Sequence, residues 1–230
     1  MSDSQAGRPV LIWDWPARVV HWGFSVSLTV ALLVGFLTDP EGPLFRWHIL
    51  AAYLAVWFLG LRVVLGFAGS RYLRLSALFC RPPGLFRYLG SVMRWERETL
   101  PGLNPGSAAF ALGIYGCLVA LVYSGFVAEL VETWHGRLAY GASGLIVVHL
   151  AGLFLHALRH RAPTPLAMFH GRVSGRLQDG LQHASPGVGF LLMLLSGAVL
   201  WALVAFYDEA NAVVAIPGLP EIPVPTVQKG

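Results

Sequence analysis

Four histidines lie in apolar stretches of this chain, where an imidazole can bind a metal or carry a proton. His135 and His149 are 14 residues apart in one stretch, and His21 and His48 lie in two others. At about 3.6 residues and 5.4 Å per turn, that spacing brings both rings to one face of a helix, about 21 Å apart. Taken alone, two incidental histidines on a membrane helix would explain the spacing equally well.

The composition predicts the elements that position these residues. The chain has 230 residues, of which 56% are hydrophobic and 12% are charged, and its mean hydropathy is +0.62. Runs long enough to cross about 30 Å of hydrocarbon occupy residues 18–38, 47–68, 108–128, 135–158 and 187–207. The first run is too long and too aromatic for a signal-peptide core, so we expect it to be retained. The sequence predicts an all-α membrane protein with five spans.

Charge placement predicts the topology of these spans. All basic residues except Lys229 are arginines, and they concentrate between spans two and three and between spans four and five. By the positive-inside rule these segments are cytoplasmic. The alternate segments are acidic, with Asp39, Glu41, Glu129, Glu132, Asp208, Glu209 and Glu221. We therefore expect the N-terminus inside and the C-terminus outside, and we assign the basic patches to topology and anionic lipid rather than to nucleic acid.

The chain divides into four predicted regions. Residues 1–161 form a four-helix core, 162–186 a basic cytoplasmic linker with solvated histidines, 187–207 the fifth transmembrane helix, and 208–230 a proline-rich tail that we expect to be extended and mobile. Residues 85–95 fit an amphipathic helix on the inner leaflet or an irregular basic loop equally well. The absence of a Cys-x-x-Cys-His motif excludes covalently attached c-type haem.

The predicted topology sorts the histidines into two pairs by depth. His48 and His135 lie toward the outside, and His21 and His149 toward the inside. Each pair has the form of a bis-imidazole axial set for a b-type haem in a helical bundle. Zinc or copper would favour three or four ligands at one depth, and a proton channel would favour carboxylates beside the histidines. His156, two turns beyond His149, is an alternative partner for His21.

Several motifs resemble the prokaryotic cytochrome b561 family, which includes the b-type cytochrome subunits of nickel-iron hydrogenases. In the family's order they are Arg18-Val19-Val20-His21-Trp22, Arg46-Trp47-His48, Gly69-Ser70-Arg71-Tyr72, Asn104-Pro105-Gly106, and His135 with His149, over residues 9–175. The resemblance implies a four-helix haem-binding bundle with two b haems stacked across the bacterial inner membrane. It implies axial roles for His21, His48, His135 and His149, and it favours His149 over His156.

The resemblance also implies cofactors and partners. These are two haem b groups, a quinone or quinol, membrane lipid, and a periplasmic redox partner such as a c-type cytochrome or a hydrogenase-like oxidoreductase. Two features depart from the family pattern: Leu103 stands where a histidine is common, and the fifth span and the tail lie outside the usual core.

Arginines near each pair are candidates to bind haem propionates through charge-assisted hydrogen bonds. Arg18 and Arg71 are the inner candidates and Arg46 is the outer one, with a purely topological role as the alternative. The function expected is transmembrane electron transfer. The alternatives are a superoxide:quinone oxidoreductase, which the acidic outer loops disfavour, and a haem-free structural or transport module.

Overall fold

The computed structural model describes residues 8–96, 102–127, 131–160, 166–208, 211 and 213–224. In chain order its elements are β1 (Arg8–Leu11), α1 (Trp15–Leu37), α2 (Arg46–Ala68), α3 (Leu75–Phe79), α4 (Leu85–Met93), α5 (Pro105–Phe126), α6 (Gly136–His160), α7 (Ala167–His170), β2 (Arg172–Gly175), α8 (Pro186–Ala205), β3 (Tyr207–Asp208), β4 (Val213–Val214) and β5 (Ile222–Pro223). A π-helical turn, Val131–His135, leads into α6.

Within these described residues, five helices are long and apolar enough to cross a membrane. They are α1, α2, α5, α6 with the turn before it, and α8. The all-α membrane fold with five spans is therefore confirmed. Successive spans alternate in direction, and we call the end of the bundle where α1 begins the N-face and the opposite end the far face.

Side chains at the N-face fix where two of the spans begin. The carboxylate of Asp14 accepts a hydrogen bond from the backbone N–H of Ala17 at 3.1 Å, and the amide oxygen of Asn104 accepts one from Ser107 at 2.8 Å. A proline occupies the first turn of both helices. Each cap satisfies a backbone donor that has no partner within its helix, and proline is tolerated there because its position needs no donor.

The core lies between two antiparallel helix pairs, α1 with α2 and α5 with α6. Its buried members come mostly from these four spans: Ala17, Val20, Phe24, Leu28, Ala55, Phe58, Leu65, Ile114, Leu118, Leu121, Ala139 and Ala142. The small Ala139 and Ala142 are the buried apolar residues of α6, as expected of membrane helices that approach closely. The histidine-bearing helix therefore meets its neighbours through small residues.

The segment after α6 folds back onto the start of α1. Strands β1 and β2 pair antiparallel, with Val10 opposite Val173. The backbone N–H groups of Ile12 and Trp13 donate to the carbonyl of Gly171 at 2.9 and 3.0 Å. The predicted basic linker thus contains a strand, because the edge of β1 has backbone groups to satisfy. His170 and His183 are exposed, in agreement with the prediction.

Helix α4 decides between the two interpretations of residues 85–95. The segment forms a helix over Leu85–Met93. Phe86, Leu89 and Met93 are exposed beside the exposed Arg87 and Arg94. Exposed apolar side chains next to arginines suit a helix that lies at a membrane interface. The helix is therefore confirmed, and its place on the inner leaflet stays a prediction.

The expectation of an extended, mobile tail is wrong for its described part. Strands β3, β4 and β5 form an antiparallel sheet, and Val214 in the central strand is fully buried. It packs in a cluster with Ile49 and Leu50 of α2, Leu203 of α8, and Val224. The prolines do not prevent this sheet, because Pro223 lies on the edge strand β5, where a missing donor is tolerated. We call residues 206–224 the far-face cap.

Helix α8 joins the core at two levels. At the N-face, Gly189 lies so close to Trp15 that an added Cβ would be 2.6 Å from the Trp15 Cβ. Deeper in the span, the indole N–H of Trp57 donates to the Ser196 hydroxyl at 3.0 Å. The fifth helix is therefore packed against α1 and α2 rather than separated from them.

Val214→Asp should release the far-face cap. The change removes a buried valine, worth about 2 kcal/mol of transfer free energy, and a carboxylate does not remain in that environment. Because 1.4 kcal/mol is a factor of ten, we expect cleavage within the cap by added protease to accelerate more than tenfold. Ala215→Asp is the control, because Ala215 is exposed next to it. Equal cleavage of the two variants would contradict the packing described.

Candidate haem-binding sites

His48 and His135 meet at the far face. His48 lies in the first turn of α2, and His135 ends the turn that leads into α6. Their ring centroids are 6.0 Å apart and the rings are nearly perpendicular, at 76°. The fold thus brings together two histidines that are 87 positions apart in the sequence. We call them the far-face pair.

A backbone carbonyl of α1 fixes the His48 ring. Its Nδ1 is 2.8 Å from the carbonyl oxygen of Ala31, so this nitrogen carries the proton and donates. Phe45 stacks on the other side of the ring, at 4.9 Å between centroids. Gly35 of α1 leaves room for the ring, because a Cβ there would lie 2.8 Å from Nδ1. The tautomer and the position of His48 therefore depend on α1.

A serine hydroxyl of α5 fixes the His135 ring. The Ser124 hydroxyl donates to the Leu121 carbonyl at 3.0 Å and is 3.0 Å from His135 Nδ1. With the one hydroxyl proton assigned to the Leu121 carbonyl, His135 Nδ1 is the donor in the second bond. A Cβ added at the neighbouring Gly125 would lie 3.6 Å from the ring, in ordinary van der Waals contact. His135, like His48, keeps its proton on Nδ1.

The far-face pair therefore has two free Nε2 atoms. Metal-binding histidines commonly donate the other ring N–H to a carbonyl or a hydroxyl, which fixes the tautomer and raises the basicity of the ligand. Two imidazoles bound to opposite sides of one metal ion at about 2 Å per bond have ring centres roughly 6 Å apart. The observed 6.0 Å agrees with that separation. The far-face pair fits an axial ligand set.

His21 and His149 lie deeper, toward the N-face. His21 is six residues into α1, about 9 Å along the helix. Its ring meets Trp22 edge-on at 5.4 Å, and the His149 ring stacks on Phe110 of α5 at 4.1 Å. The two imidazoles are close enough to interact electrostatically. We call them the N-face pair.

His156 belongs to a different cluster near the end of α6. Its ring stacks on His160 at 4.1 Å between centroids. Arg159, between them in sequence, is only 1% exposed and donates to Nε2 of His160 from its Nη2 at 3.0 Å. The electrostatic neighbours of His156 are His160 and Arg159, whereas that of His21 is His149. This grouping favours His149 as the partner of His21.

Two of the three predicted propionate arginines already bind backbone carbonyls. Arg18 donates to the carbonyls of Met168 and Phe169, and Arg71 to those of Gln178 and Asp179. Both therefore tie the segment after α6 to the bundle. The third, Arg46, is exposed at the far face over the ring of Trp47.

Tyr72 completes the contact made by Arg71. Its hydroxyl donates to the Asp179 carbonyl at 2.6 Å and accepts from Arg71 at 2.9 Å. Burial raises the pKa of the Tyr72 hydroxyl above its ordinary value, against the opposing effect of Arg71. The phenol therefore remains a neutral donor at physiological pH.

Unpaired polar atoms at the N-face bear on whether a haem would fit. Ser70 Oγ, His156 Nδ1 and Arg159 Nη1 are buried without a hydrogen-bond partner. A buried guanidinium nitrogen without an acceptor is costly, and a propionate is an acceptor that would satisfy it. Among the described residues, no group of three or more histidines, cysteines and carboxylates could hold a metal ion alone. Paired imidazoles with nearby donors therefore fit haem.

Several residues of these sites could not be found in the sequence. Ser124 lies in a span with no histidine, Gly35 is one of 26 glycines, and Arg159 looks like an ordinary helix-end arginine. Ser124 and Gly35 act through a neighbouring helix, so only their place in the bundle identifies them. The sequence pointed only weakly to Arg159, through its position between two histidines.

A bundle of membrane spans with opposed histidines at two depths defines a membrane protein of the helical cytochrome class. The chain belongs to the prokaryotic cytochrome b561 family, whose model matches residues 12–171. The matched residues include the spans α1, α2, α5 and α6, and the match ends before α8. No curated protein and no solved structure matches this chain. Family membership implies b-type haem and membrane electron transfer.

Gly35→Ala should lower the amount of b-type haem in the purified protein. The added Cβ would lie 2.8 Å from His48 Nδ1 and would displace the ring from the Ala31 carbonyl. The measurement is the haem absorbance per chain. Gly60→Ala is the matched control, because nothing lies within 4 Å of a Cβ at that helix position. Equal haem content in both variants would contradict the role given to Gly35.

Proposed function

We propose that this protein transfers electrons across the bacterial inner membrane through two b-type haems. His48 and His135 would hold one haem near the far face, and His21 and His149 the other toward the N-face. The electrons would pass between the quinone pool and a periplasmic redox partner. The observation that carries the proposal is the 6.0 Å separation of the far-face pair with both Nδ1 atoms engaged in hydrogen bonds.

Residues of this chain orient the proposed haem ligands and fix the distance between them. A bound b-type haem supplies a one-electron iron couple whose potential depends on its axial ligands and their hydrogen bonds. Ala31 and Ser124 orient the far-face imidazoles, and Phe110 orients His149. The 14-residue spacing along α6 and the turn before it separates the two proposed ligands by about 21 Å. One helix therefore contributes a ligand to each site and spans the distance between them.

Arginines would bind the propionates at each level. Arg18 and Arg71 are proposed for the N-face haem and Arg46 for the far-face haem. Arg159 is a further N-face candidate, because it is buried and its Nη1 has no partner. A propionate would give this guanidinium the acceptor that it lacks.

The proposed orientation puts the N-face in the cytoplasm. Arg71, Arg74, Arg81, Arg87 and Arg94 lie in the segment between α2 and α5, as the positive-inside rule requires of a cytoplasmic loop. The far face would then be periplasmic, and its described loops carry Asp39, Glu41, Asp208 and Glu221. Such a surface favours a redox partner with a basic surface and disfavours capture of superoxide.

An absorption spectrum of the purified protein tests the central claim. We expect reduced b-type bands with about two haems per chain, because the proposal assigns two bis-histidine sets to the chain. His48→Ala and His135→Ala should each remove the same haem and leave the other. His21→Ala and His149→Ala should remove the second haem. A preparation reconstituted with haem that binds none would refute the proposal.

His156→Ala is the control for the N-face assignment. His156 interacts with His160 and Arg159 rather than with His21, so this variant should keep both haems. Loss of a haem in His156→Ala, with both retained in His149→Ala, would reverse the assignment. The readout is the haem-to-protein ratio together with the two reduced spectra.

Ser124→Ala should raise the midpoint potential of the far-face haem. The bond from His135 Nδ1–H makes the imidazole more basic, which stabilises ferric iron. A bond that contributes about 1 kcal/mol more in the ferric state corresponds to about 40 mV for one electron. Ser143→Ala is the control in a redox titration, because its hydroxyl bonds only the Ala139 carbonyl in the same helix. A fall in potential, or equal shifts, would contradict this role.

A further inference from the structure

Arg62 is a buried charge within a membrane span. It lies in α2, six residues or about 9 Å from the N-face end of the helix, and is only 9% exposed. Its Nη1 donates to the Leu73 carbonyl at 2.7 Å, and Tyr115 of α5 lies nearby. In the part of the chain that the structure describes, the one ion pair joins Arg94 and Glu96. An intramembrane arginine without a carboxylate calls for a functional explanation.

Arg62 and Tyr115 line a cavity of about 430 Å³ between α2, α3 and α5. The rest of its wall is hydrocarbon, including Val63, Phe79 and Val119. A mostly apolar cavity with a few convergent polar groups is the usual form of a small-molecule site. Arginine has five N–H donors, and the hydrogen bond to Leu73 uses one of them. The polar groups here favour a ligand with a hydrogen-bond acceptor.

The cavity is closed toward the N-face and open toward the bilayer. Leu73 and Leu78, which follow the N-face end of α2 in the chain, are buried at 5% and 3% exposure. Val63 and Val119 are exposed on the outer surface of the helices, and Gly116 has no neighbour within 4 Å of an added Cβ. A ligand would therefore enter from the hydrocarbon. A phospholipid phosphate stays at the headgroup level, above this depth.

The cavity adjoins the N-face pair through one aromatic side chain. The Tyr115 ring packs edge-on against Phe24 of α1, with centroids 5.3 Å apart and planes at 89°. Phe24 lies one helical turn after His21, so both face the same side of α1. A molecule held by Arg62 and Tyr115 would lie behind this phenylalanine, next to the N-face pair.

We propose that this cavity binds the head group of a membrane quinone. A quinone carbonyl would accept hydrogen bonds from the Arg62 guanidinium and the Tyr115 hydroxyl, and the isoprenoid tail would leave between Val63 and Val119 into the bilayer. The identity of the ligand rests on the proposed function, which requires exchange with the quinone pool. The location rests on the buried cation, the phenol and the lateral opening.

Photolabelling of the haem-loaded full chain in phospholipid vesicles tests the location. The probe is an azido-benzoquinone with a short isoprenoid chain, and the labelled peptides are identified by mass spectrometry. We expect label in residues 59–63 and 112–119. Tyr115→Phe removes one hydrogen bond of about 1 kcal/mol, so labelling at a subsaturating concentration should fall about fivefold. Tyr123→Phe is the control, since Tyr123 is exposed on the same helix.

Variants of Arg62 distinguish the quinone from other acceptors. Arg62→Lys should weaken labelling and Arg62→Met should abolish it, with both haem spectra retained as evidence of folding. Loss of the N-face haem in Arg62→Lys, with labelling unchanged, would mean that Arg62 holds a propionate and would overturn the proposal. Displacement of the probe by phosphatidylglycerol but not by unlabelled quinone would also overturn it.

Haem content and labelling are independent readouts, so the quinone site and the proposed function can fail separately. A chain with two haems and no label in the cavity would refute the site and leave electron transfer standing. A labelled cavity in a chain that binds no haem would support the site and refute the di-haem proposal.

Discussion

The hydrogen bonds at Nδ1 of His48 and His135 are the contacts on which the far-face site depends. A neutral imidazole has two nitrogens and one proton, and its surroundings decide which nitrogen keeps the proton. Ala31 and Ser124 hold both protons on Nδ1, so each Nε2 keeps its lone pair. Hydrocarbon offers no water to replace these acceptors. Helices α1 and α5, which supply no histidine to this pair, therefore determine which ring nitrogens carry the protons.

The same contacts require a close approach between helices. The Ala31 carbonyl can accept from His48 only because Gly35, one turn further along α1, has no side chain. The approach at His135 is looser, because a Cβ added at Gly125 would lie 3.6 Å from the ring, in ordinary contact. At His48, an acceptor and a glycine on one helix therefore meet a histidine on another. A substitution at Gly35 would act through the hydrogen bond rather than through the histidine itself.

Local patterns in the sequence predicted the helices, whereas contacts between distant segments had no signal there. Hydropathy located five spans, and the arginine-rich amphipathic pattern at residues 85–95 gave the correct alternative, because both signals depend on neighbouring residues. The far-face cap was missed because its strands are two residues long and Val214 is buried against side chains of two other elements, α2 and α8, as well as against the cap itself.

The residues of the candidate sites likewise divide into those that local sequence patterns predict and those that only the fold brings together. The four histidines could be selected by spacing and depth, since helix geometry fixes both. Ser124 could not be selected, because nothing in α5 records that its hydroxyl meets a ring 11 residues later across a turn. Arg18 and Arg71 were assigned by proximity in depth, but the structure adds their carbonyl partners in the segment after α6. No local sequence pattern predicts where that segment lies.

The two ends of the bundle differ in the chemistry that they can support. At the far face, the pair is held by a carbonyl and a hydroxyl, and α2 is covered there by an apolar cap with Val214 and Val224 at its centre. The N-face has His156 and Arg159 with buried unpaired atoms, and Arg62 beneath it. Exchange with a quinone moves protons as well as electrons, whereas exchange with another cytochrome moves electrons alone. Arginine keeps its proton in proteins, so among these N-face groups the stacked imidazoles of His156 and His160 are the ones that could exchange a proton with a quinone.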